Sequence, residues 1–247
     1  TITEVNDTPV ANAGSFSTNE DIDGSYTLTG DDGDPWDSSA DEQDLTFSIV
    51  DNVSHGTVSL NSTTGALDYD PDDNYNGSDS FTFRVTDDGT TNGSSDGLTS
   101  SPATVTITVN AINDNPILTA ISSQTTSEDT DITVDLSGSD VDIATNGQSL
   151  SFTAESGDGS MVVVSTVSTG TSTGTLTLDV QDNVNGDVTV MVQVSDGNGG
   201  SDNTEFTLTI TEVNDTPVAN AGSFSTNEDI DGSYTLTGDD GDPWDSS

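Results

Sequence analysis

The sequence contains no cysteine and almost no cationic side chains. Its 247 residues include one Lys or Arg, which is Arg84, and one His, against 45 Asp and Glu, for a formal net charge of -44 at pH 7. Without cysteine, the chain has neither disulfides nor a thiolate nucleophile. Because there is no basic patch to neutralise phosphate, the composition argues against nucleic acids and anionic membranes as partners.

Apolar side chains are also scarce. Hydrophobic residues make up 29% of the chain and aromatic residues 5%, a composition that borders on that of disordered proteins. The longest apolar runs are too short to span a bilayer. A single His, with no Cys and no second His, leaves no set of groups for nucleophilic or metal catalysis. We therefore expect no enzyme, and His55 is predicted to be a turn residue.

The acidic side chains are mostly Asp, which far outnumbers Glu. A solvating helical surface would use Glu freely, because Glu tolerates helices better. Asp is common in turns and is a compact, hard-oxygen ligand for Ca²⁺. Composition alone leaves two interpretations open, namely calcium ligation and a salt-adapted acidic surface.

The chain repeats itself. Residues 1–39 and 209–247 are identical, letter for letter, which indicates a window of slightly more than one period from a longer repetitive polymer. A weaker repeat relates residues 4–10, 111–117 and 212–218. One long period therefore contains two related modules of about 100 residues each, which is close to the usual domain size.

Each module is predicted to consist of short strands. Apolar residues alternate with Thr and Ser, as in half-buried strands, and clusters of Gly, Asn and Asp separate the runs. The predicted strands are 25–29, 45–49, 80–85 and 103–109 in the first module, and 132–136, 150–152, 176–178, 188–194 and 206–210 in the second. This pattern predicts an all-β protein of tandem immunoglobulin-like β-sandwich modules in a linear array.

Four segments follow from the repeats. Residues 1–5 are predicted to be the last strand of a preceding module, 6–112 module 1, 113–213 module 2, and 214–247 a partial module with the sequence of the start of module 1. Alone, the partial segments would leave sheet edges unpaired. Either the chain continues at both ends or neighbouring copies add a strand, and we favour the first.

Several motifs resemble those of cadherin repeats. Asn113-Asp114-Asn115-Pro116 is similar to their Asn-Asp linker, and residues 73–87 are similar to a hallmark stretch of the bacterial cadherin-like tandem repeats of giant surface adhesins and extracellular fibres. Ser127-Glu128-Asp129-Thr130 matches the early acidic motif of the same group. The Asp-x-Asp pairs of this resemblance are Asp32 with Asp34 and Asp140 with Asp142. Unlike animal cadherins, the chain lacks a Leu-Asp-Arg-Glu motif.

The resemblance implies Ca²⁺ bound at the junctions between modules. Ca²⁺ takes six to eight oxygen ligands, more than one edge of a module usually offers. For the central junction the implied ligands are Asn113, Asp114, Asn115, Asp140, Asp142 and Asp196, together with Glu20 and Asp73 from module 1. At the entrance of module 1 they are Asn6, Asp7, Asp32, Asp34 and Asp87. At the exit of module 2 they are Asn214, Asp215, Asp240, Asp242, Glu128 and Asp182. The competing interpretation is that Asn-Asp and Asp-Gly steps only form turns.

The resulting hypothesis is structural. The resemblance implies a segment of a long repetitive secreted or cell-surface fibre or adhesin, in which Ca²⁺ rigidifies the array. The expected partners are neighbouring modules of the same chain and other copies in a filament, with a cell-surface or glycan ligand as a further possibility. The alternative is a carbohydrate- or ligand-binding β-sandwich module of a surface protein, which would need an aromatic platform.

Overall fold

A computed structural model describes residues 5–33 and 43–239 of the chain. It is 51% strand and 1% helix, so the expectation of an all-β protein is confirmed. The chain divides into two compact units, Thr1–Ile112 and Asn113–Ser247. The predictions made for residues 1–4 and for Asp34, Asp240 and Asp242 lie outside the described residues. No helix in the described part of the chain is long and apolar enough to cross a membrane.

Unit 1 is a β-sandwich of one four-stranded and one three-stranded sheet. Its strands are β1 (Val10–Ala11), β2 (Gly14–Asn19), β3 (Gly24–Thr27), β4 (Gly30–Asp31), β5 (Thr46–Asp51), β6 (Gly56–Leu60), β7 (Ala66–Pro71), β8 (Gly77–Thr86), β9 (Thr90–Thr91), β10 (Ser94–Ser95) and β11 (Ala103–Asn110). The sheets have the orders β2-β11-β8-β5 and β3-β7-β6, with the ribbons β1-β4 and β9-β10 beside them. β2 runs parallel to β11 and the other pairs are antiparallel.

The core of unit 1 follows from the alternation that the sequence predicts. Phe81, Phe83 and Val85 of β8 are buried, whereas Thr82 and Arg84 between them are more exposed. Successive strand residues point to opposite faces, so one face of β8 joins the core and the other meets solvent. The same alternation along β11 buries Val105, Ile107 and Val109 in that core.

Unit 2 repeats this architecture with two four-stranded sheets. Its elements are β12 (Ile117–Leu118), β13 (Gln124–Ser127), β14 (Ile132–Ser139), α1 (Ile143–Asn146), β15 (Ser151–Ser156), β16 (Val162–Ser168), β17 (Thr173–Val180), β18 (Gly186–Ser195), β19 (Ser201–Thr211), β20 (Val218–Ala219) and β21 (Gly238–Asp239). The sheet orders are β12-β14-β17-β16 and β13-β19-β18-β15, and β20 pairs with β21. The core contains Leu136, Phe152, Leu176 and Leu208.

One turn conformation recurs with the early acidic motif. Asp21, Asp129 and Asp229 have φ values of 57, 59 and 60°, in the left-handed region that few non-glycine residues adopt. Asn74 and Asn183 share this conformation, at φ 55 and 56°. In unit 1, Asn74 N donates to Asp21 Oδ1 at 2.9 Å, and in unit 2, Asn183 N donates to Asp129 Oδ1 at 3.3 Å. These side-chain hydrogen bonds join two left-handed turns in each unit.

Candidate metal-binding residues

The linker residues that open unit 2 are held in a network of acidic and amide side chains. We call this network the unit 2 cluster; it comprises Asn113, Asp114, Asp140, Asp142, Gln148 and Asp196. Asn113 Nδ2 donates to Asp196 Oδ2 at 2.7 Å, and Asp114 N donates to Asp142 Oδ2 at 2.9 Å. Asp142 N in turn donates to Asp140 Oδ1 at 2.8 Å. The fold thus brings together the linker, the Asp-x-Asp pair and the end of β18.

Asp196 accepts several hydrogen bonds within the cluster. It is 5% exposed, and its Oδ1 accepts from Asn198 N at 2.7 Å and Gly200 N at 3.0 Å. The hydrogen bond from Asn113, opposed by burial and reinforced by these backbone amides, holds the pKa of Asp196 below its ordinary value. Asp196 therefore presents a stable carboxylate at neutral pH.

Unit 1 contains the equivalent network, which we call the unit 1 cluster; it comprises Asn6, Asp32, Gln43 and Asp87. Asn6 Nδ2 donates to Asp87 Oδ1 at 3.0 Å and to the carbonyl of Asp96 at 2.7 Å. Asp87 Oδ1 also accepts from Leu98 N at 2.9 Å. Asp32 Oδ2 accepts from Gln43 N at 3.2 Å. Two units with different sequences therefore hold the same residue types together.

Both clusters contain buried oxygen atoms that lack donors. Within residues 5–33 and 43–239, no hydrogen-bond donor reaches Asn6 Oδ1, Asp87 Oδ2, Asp140 Oδ2 or Gln148 Oε1. A buried polar atom without a partner is costly. All four atoms are hard oxygens of the type that Ca²⁺ prefers. The oxygens of each cluster therefore match the ligand chemistry of Ca²⁺, and each cluster by itself supplies only part of the six to eight oxygens that one ion takes.

A glycine leaves room beside each cluster. A Cβ on Gly89 would collide with Asn6 Oδ1 and Gln43 Oε1. A Cβ on Gly200 would collide with Asp196 Oδ2 and lie 2.9 Å from Asn115 Oδ1 and 3.0 Å from the carbonyl of Asp114. The side-chain oxygens thus approach the backbone more closely than any larger residue would allow.

In each unit, a buried glutamate accepts a hydrogen bond from the backbone just after the last long strand, β11 in unit 1 and β19 in unit 2. Glu20, 2% exposed, accepts from Ile112 N through Oε1 and from Asn76 Nδ2 at 3.2 Å through Oε2. Glu128, 4% exposed, accepts from Val213 N at 2.7 Å. One carboxylate in each unit therefore anchors the segment that leaves its last strand.

Other predicted ligands are not gathered in this way. Asp7, Asp73, Asp182 and Asn214 are exposed, whereas Glu20 and Glu128, their expected neighbours among the acidic ligands, are buried. Asn214 Nδ2 donates to the carbonyl of Asp215 at 2.8 Å, as Asn113 Nδ2 does to that of Asp114 at 2.9 Å. In the part of the chain that the structure describes, no group of three or more His, Cys, Asp and Glu is placed so that it could hold a metal ion.

The two glutamines of the clusters, Gln43 and Gln148, were not predicted from the sequence. Gln148 Nε2 donates to Asn113 Oδ1 at 2.8 Å, and Gln43 contributes its backbone amide to Asp32. Both residues stand two positions before a Leu that opens a predicted strand, Leu45 or Leu150. This recurrence was visible in the sequence, but Gln belongs to no motif of the resemblance.

A separate buried carboxylate supports the fold of unit 1. Asp79, 6% exposed, accepts from the backbone amides of Ser54 and His55 at 3.0 and 2.9 Å and from Tyr69 Oη at 3.2 Å. Burial, together with Asp79, raises the pKa of Tyr69. The ring of His55 stacks on Tyr75 with centroids 4.0 Å apart. The carboxylate of Asp79 thus has hydrogen-bond donors from within unit 1. These bonds connect the turn between β5 and β6 to β7 and β8.

The fold and the clusters define a tandem of cadherin-like β-sandwich modules. Residues 6–111 match the family model of the bacterial cadherin-like domain, and residues 113–211 match that of the bacterial Ig domain. These two matches in tandem confirm the resemblance to cadherin-like and Ig-like repeats seen in the sequence. No curated protein sequence matches the chain.

Solved cadherin structures share the fold. The extracellular domain of Protocadherin GammaB4 superposes with a TM-score of 0.59 at 19% identity, covering 98% of this chain and 39% of that one. Human CDH23 EC21-23 has a TM-score of 0.56 at 17% identity, covering 96% of this chain and 81% of that one. At these identities the likeness shows the fold alone. This chain spans 39% of the length of the protocadherin structure.

Proposed function

We propose that this chain is a structural segment of a repetitive secreted or cell-surface fibre or adhesin, with modules at 6–112 and 113–213 and a partial module at 214–247. Its families are typical of structural modules rather than enzymes. Ca²⁺ bound by the two clusters and by acidic residues of adjoining modules would rigidify the array. The partners would be neighbouring modules and further copies of the chain.

The observation that carries the proposal is the set of buried oxygens without donors. Asp87 Oδ2 and Asn6 Oδ1 in unit 1, and Asp140 Oδ2 in unit 2, are buried without a hydrogen-bond partner among the described residues. Asn113, Asp142 and the carbonyls of the linker would complete the ligand set in unit 2. A bound cation would be the electropositive partner that these oxygens do not find among the hydrogen-bond donors of the described residues.

Net charge gives the ion a second role. With a formal charge of -44, adjacent modules repel one another at low ionic strength. Bound cations reduce this repulsion, and they fix the angle between modules when their ligands come from both sides of a linker. Because repeat arrays gain stability from nearest-neighbour interfaces, stiffness and stability would increase together.

A thermal-unfolding series tests the proposal. The full chain is heated with millimolar Ca²⁺, with chelator, and with Mg²⁺ or Na⁺ at matched ionic strength. A ligand that binds only the native state stabilises it by mass action, so a rise in melting temperature specific to Ca²⁺ is expected. An equal rise in melting temperature with all the salts would indicate a salt-adapted acidic surface. It would contradict the assignment of these residues as Ca²⁺ ligands.

A matched pair of variants locates the effect. Asp140→Asn keeps an oxygen to accept from Asp142 N but loses the charge, so the calcium response of unit 2 should fall sharply. Asp135→Asn makes the same charge change on the exposed face of β14 and should leave the response intact. If both variants respond to Ca²⁺ like the parent, Asp140 is not a ligand.

A further inference from the structure

The edge strand β16 of unit 2 carries no charge, although the chain has 45 acidic residues among 247. Its sequence, Val162–Ser168, is VVVSTVS. β16 is the last strand of the sheet β12-β14-β17-β16, and its register with β17 is continuous over its whole length. Native edge strands are usually protected by a charged residue, a proline or a bulge. β16 has none of these devices.

Two valines of β16 point to solvent. Val163 is 47% exposed and Val167 is 63% exposed, and the exposed Ser165 lies between them on the same face. The opposite face of the strand is occupied within unit 2, where Val162 belongs to the core and Thr166 Oγ1 donates to the carbonyl of Phe152 at 2.7 Å. The outward face of β16 is therefore apolar at both ends and polar in the middle.

The fold does not require valine at these two positions. The equivalent strand of unit 1 is β6, which pairs with β7 as β16 pairs with β17. Counted back from the left-handed Asn turns that follow β7 and β17, Val163 corresponds to Thr57 and Val167 to Asn61. Both of these polar residues are exposed. The same sandwich thus forms in unit 1 with polar side chains where unit 2 exposes valines.

The free edge of β16 also presents backbone groups. The hydrogen bonds to β17 at the two ends of the strand involve the carbonyl of Met161 and the amide of Thr169. Because bonded pairs alternate along an antiparallel ladder, the odd-numbered residues between them bond to β17. The backbone groups of Val164 and Thr166 therefore point to the other side, where no strand of the described residues pairs with β16.

We propose that β16 pairs in antiparallel fashion with β16 of a second copy of this chain, about a two-fold axis at Ser165. In this register Val163 lies opposite Val167 of the second copy, so both exposed valines gain an apolar cross-strand partner. Val164 and Thr166 lie opposite each other across the axis and exchange their free backbone hydrogen bonds. An axis one residue away in either direction would place Ser165 opposite a valine instead.

Charge favours a second copy at this edge. Two copies with a formal charge of -44 each repel one another, so a contact between them must keep acidic side chains apart. β16 contributes none, and Asp179, opposite Val163 on β17, lies one strand away from the free edge. The edge strands β5 and β15, by contrast, carry Asp51 and Glu155. A two-fold contact closes on itself, so it joins two chains side by side, independently of any Ca²⁺ that they bind.

Sedimentation equilibrium of the full chain tests the pairing at high ionic strength, which screens the net charge. The parent should form dimers as its concentration rises. Val163→Thr combined with Val167→Asn installs the residues of β6 and should stay monomeric without a lower melting temperature. Val50→Thr replaces a valine of unit 1 that is 44% exposed and should dimerise like the parent. A parent that is monomeric at every concentration, or a double variant that still dimerises, would overturn the proposal.

A cysteine placed on the axis tests the register. The chain has no cysteine of its own, and Ser165 would face itself at a non-hydrogen-bonded position, where the short Cα separation permits a disulfide. Ser165→Cys should therefore oxidise to dimers at concentrations where Thr177→Cys, opposite it on β17, remains monomeric. In the parent, dimerisation should slow hydrogen exchange of the Val164 and Thr166 amides but not that of Ser165. Equal cross-linking of the two cysteine variants, or no added protection of those amides, would exclude strand pairing.

Discussion

Asn113 donates its side-chain amide to the carboxylate of Asp196 over 2.7 Å, although the two residues are 83 positions apart in the chain. The hydrogen bond joins the linker that opens unit 2 to the end of β18. Asn6 and Asp87 form the same pair in unit 1, at 3.0 Å. An amide-carboxylate contact therefore fixes the start of each module to the loop that follows β8 in unit 1 and β18 in unit 2.

Replacing Asn113 with Ala should loosen this end of unit 2. Asp196 would lose its hydrogen bond from Nδ2, so its pKa should rise towards the ordinary value, and unit 2 should be destabilised by about 1–3 kcal/mol. Carboxyl titration by NMR and chemical denaturation measure the two effects. Asn198→Ala is the control, because Asn198 contributes its backbone amide to Asp196 and that amide survives the substitution. An unchanged Asp196 pKa in Asn113→Ala would contradict the assignment.

Gly200→Ala should disturb the same cluster from the other side. The new Cβ would collide with Asp196 Oδ2 and crowd Asn115 Oδ1, so the side-chain oxygens must separate. We expect both the stability of unit 2 and its response to Ca²⁺ to decrease, as measured by thermal unfolding with and without the ion. Gly159→Ala meets no atom within 4 Å and should change neither quantity. Equal effects of Gly200→Ala and Gly159→Ala would show that the close approach of Asp196 Oδ2 to Gly200 does not matter for stability or for the response to Ca²⁺.

The sequence predicted the strands that carry regular apolar alternation. Residues 80–85 and 188–194 lie within β8 (Gly77–Thr86) and β18 (Gly186–Ser195). β2, whose sequence is GSFSTN, was not predicted, because it has one large apolar residue and gains its strand conformation from pairing with β11. The strand predicted at 206–210 is longer in the structure, where β19 spans Ser201–Thr211. The reason is the same, because the polar residues at its start pair with β18.

The cluster residues were predictable to the extent that motifs mark them. The Asp-x-Asp pair was recognised, and the structure adds that Asp142 N donates to Asp140 Oδ1, a turn that the spacing of two permits. Gln148 escaped prediction because its contact with Asn113 depends on how β14 and β15 are placed in the fold. The burial of Asp79 could not be predicted either, because a single Asp does not stand out in so acidic a sequence.

Asp79 should make unit 1 sensitive to acid. Burial acts to raise its pKa, but hydrogen bonds from Ser54, His55, Ser80 and Tyr69 outweigh burial and lower it. A carboxyl with a depressed folded pKa stabilises the protein above its unfolded pKa of about 3.9, and this stability is lost as the pH falls through the folded value. Asp79→Asn should destabilise unit 1 at pH 7 by about 1–3 kcal/mol, and the difference should shrink below about pH 4.

Denaturant unfolding across that pH range measures the effect, and unit 2 offers controls. Aligned from the Asn-Gly turns, the position of Asp79 is occupied in unit 2 by Val188, which is 2% exposed. Asp187 beside it accepts from Thr209 Oγ1 on the surface, so Asp187→Asn should have little effect at any pH. A constant difference between Asp79→Asn and the parent from neutral pH into acid would exclude the proposed linkage.

The left-handed turn after Glu128 should discriminate sharply among side chains. Asp129 has a φ of 59°, and its Oδ1 accepts from Asn183 N at 3.3 Å. Asp129→Asn keeps the acceptor and a residue that tolerates this conformation, so the free energy of unfolding should hardly change. Asp129→Val loses the acceptor and adds a β-branched side chain where φ is positive, which should cost about 1–2 kcal/mol or more. Asp135→Val on the exposed face of β14 controls for the loss of charge, and if it destabilised unit 2 as much as Asp129→Val, the backbone conformation would not be the cause.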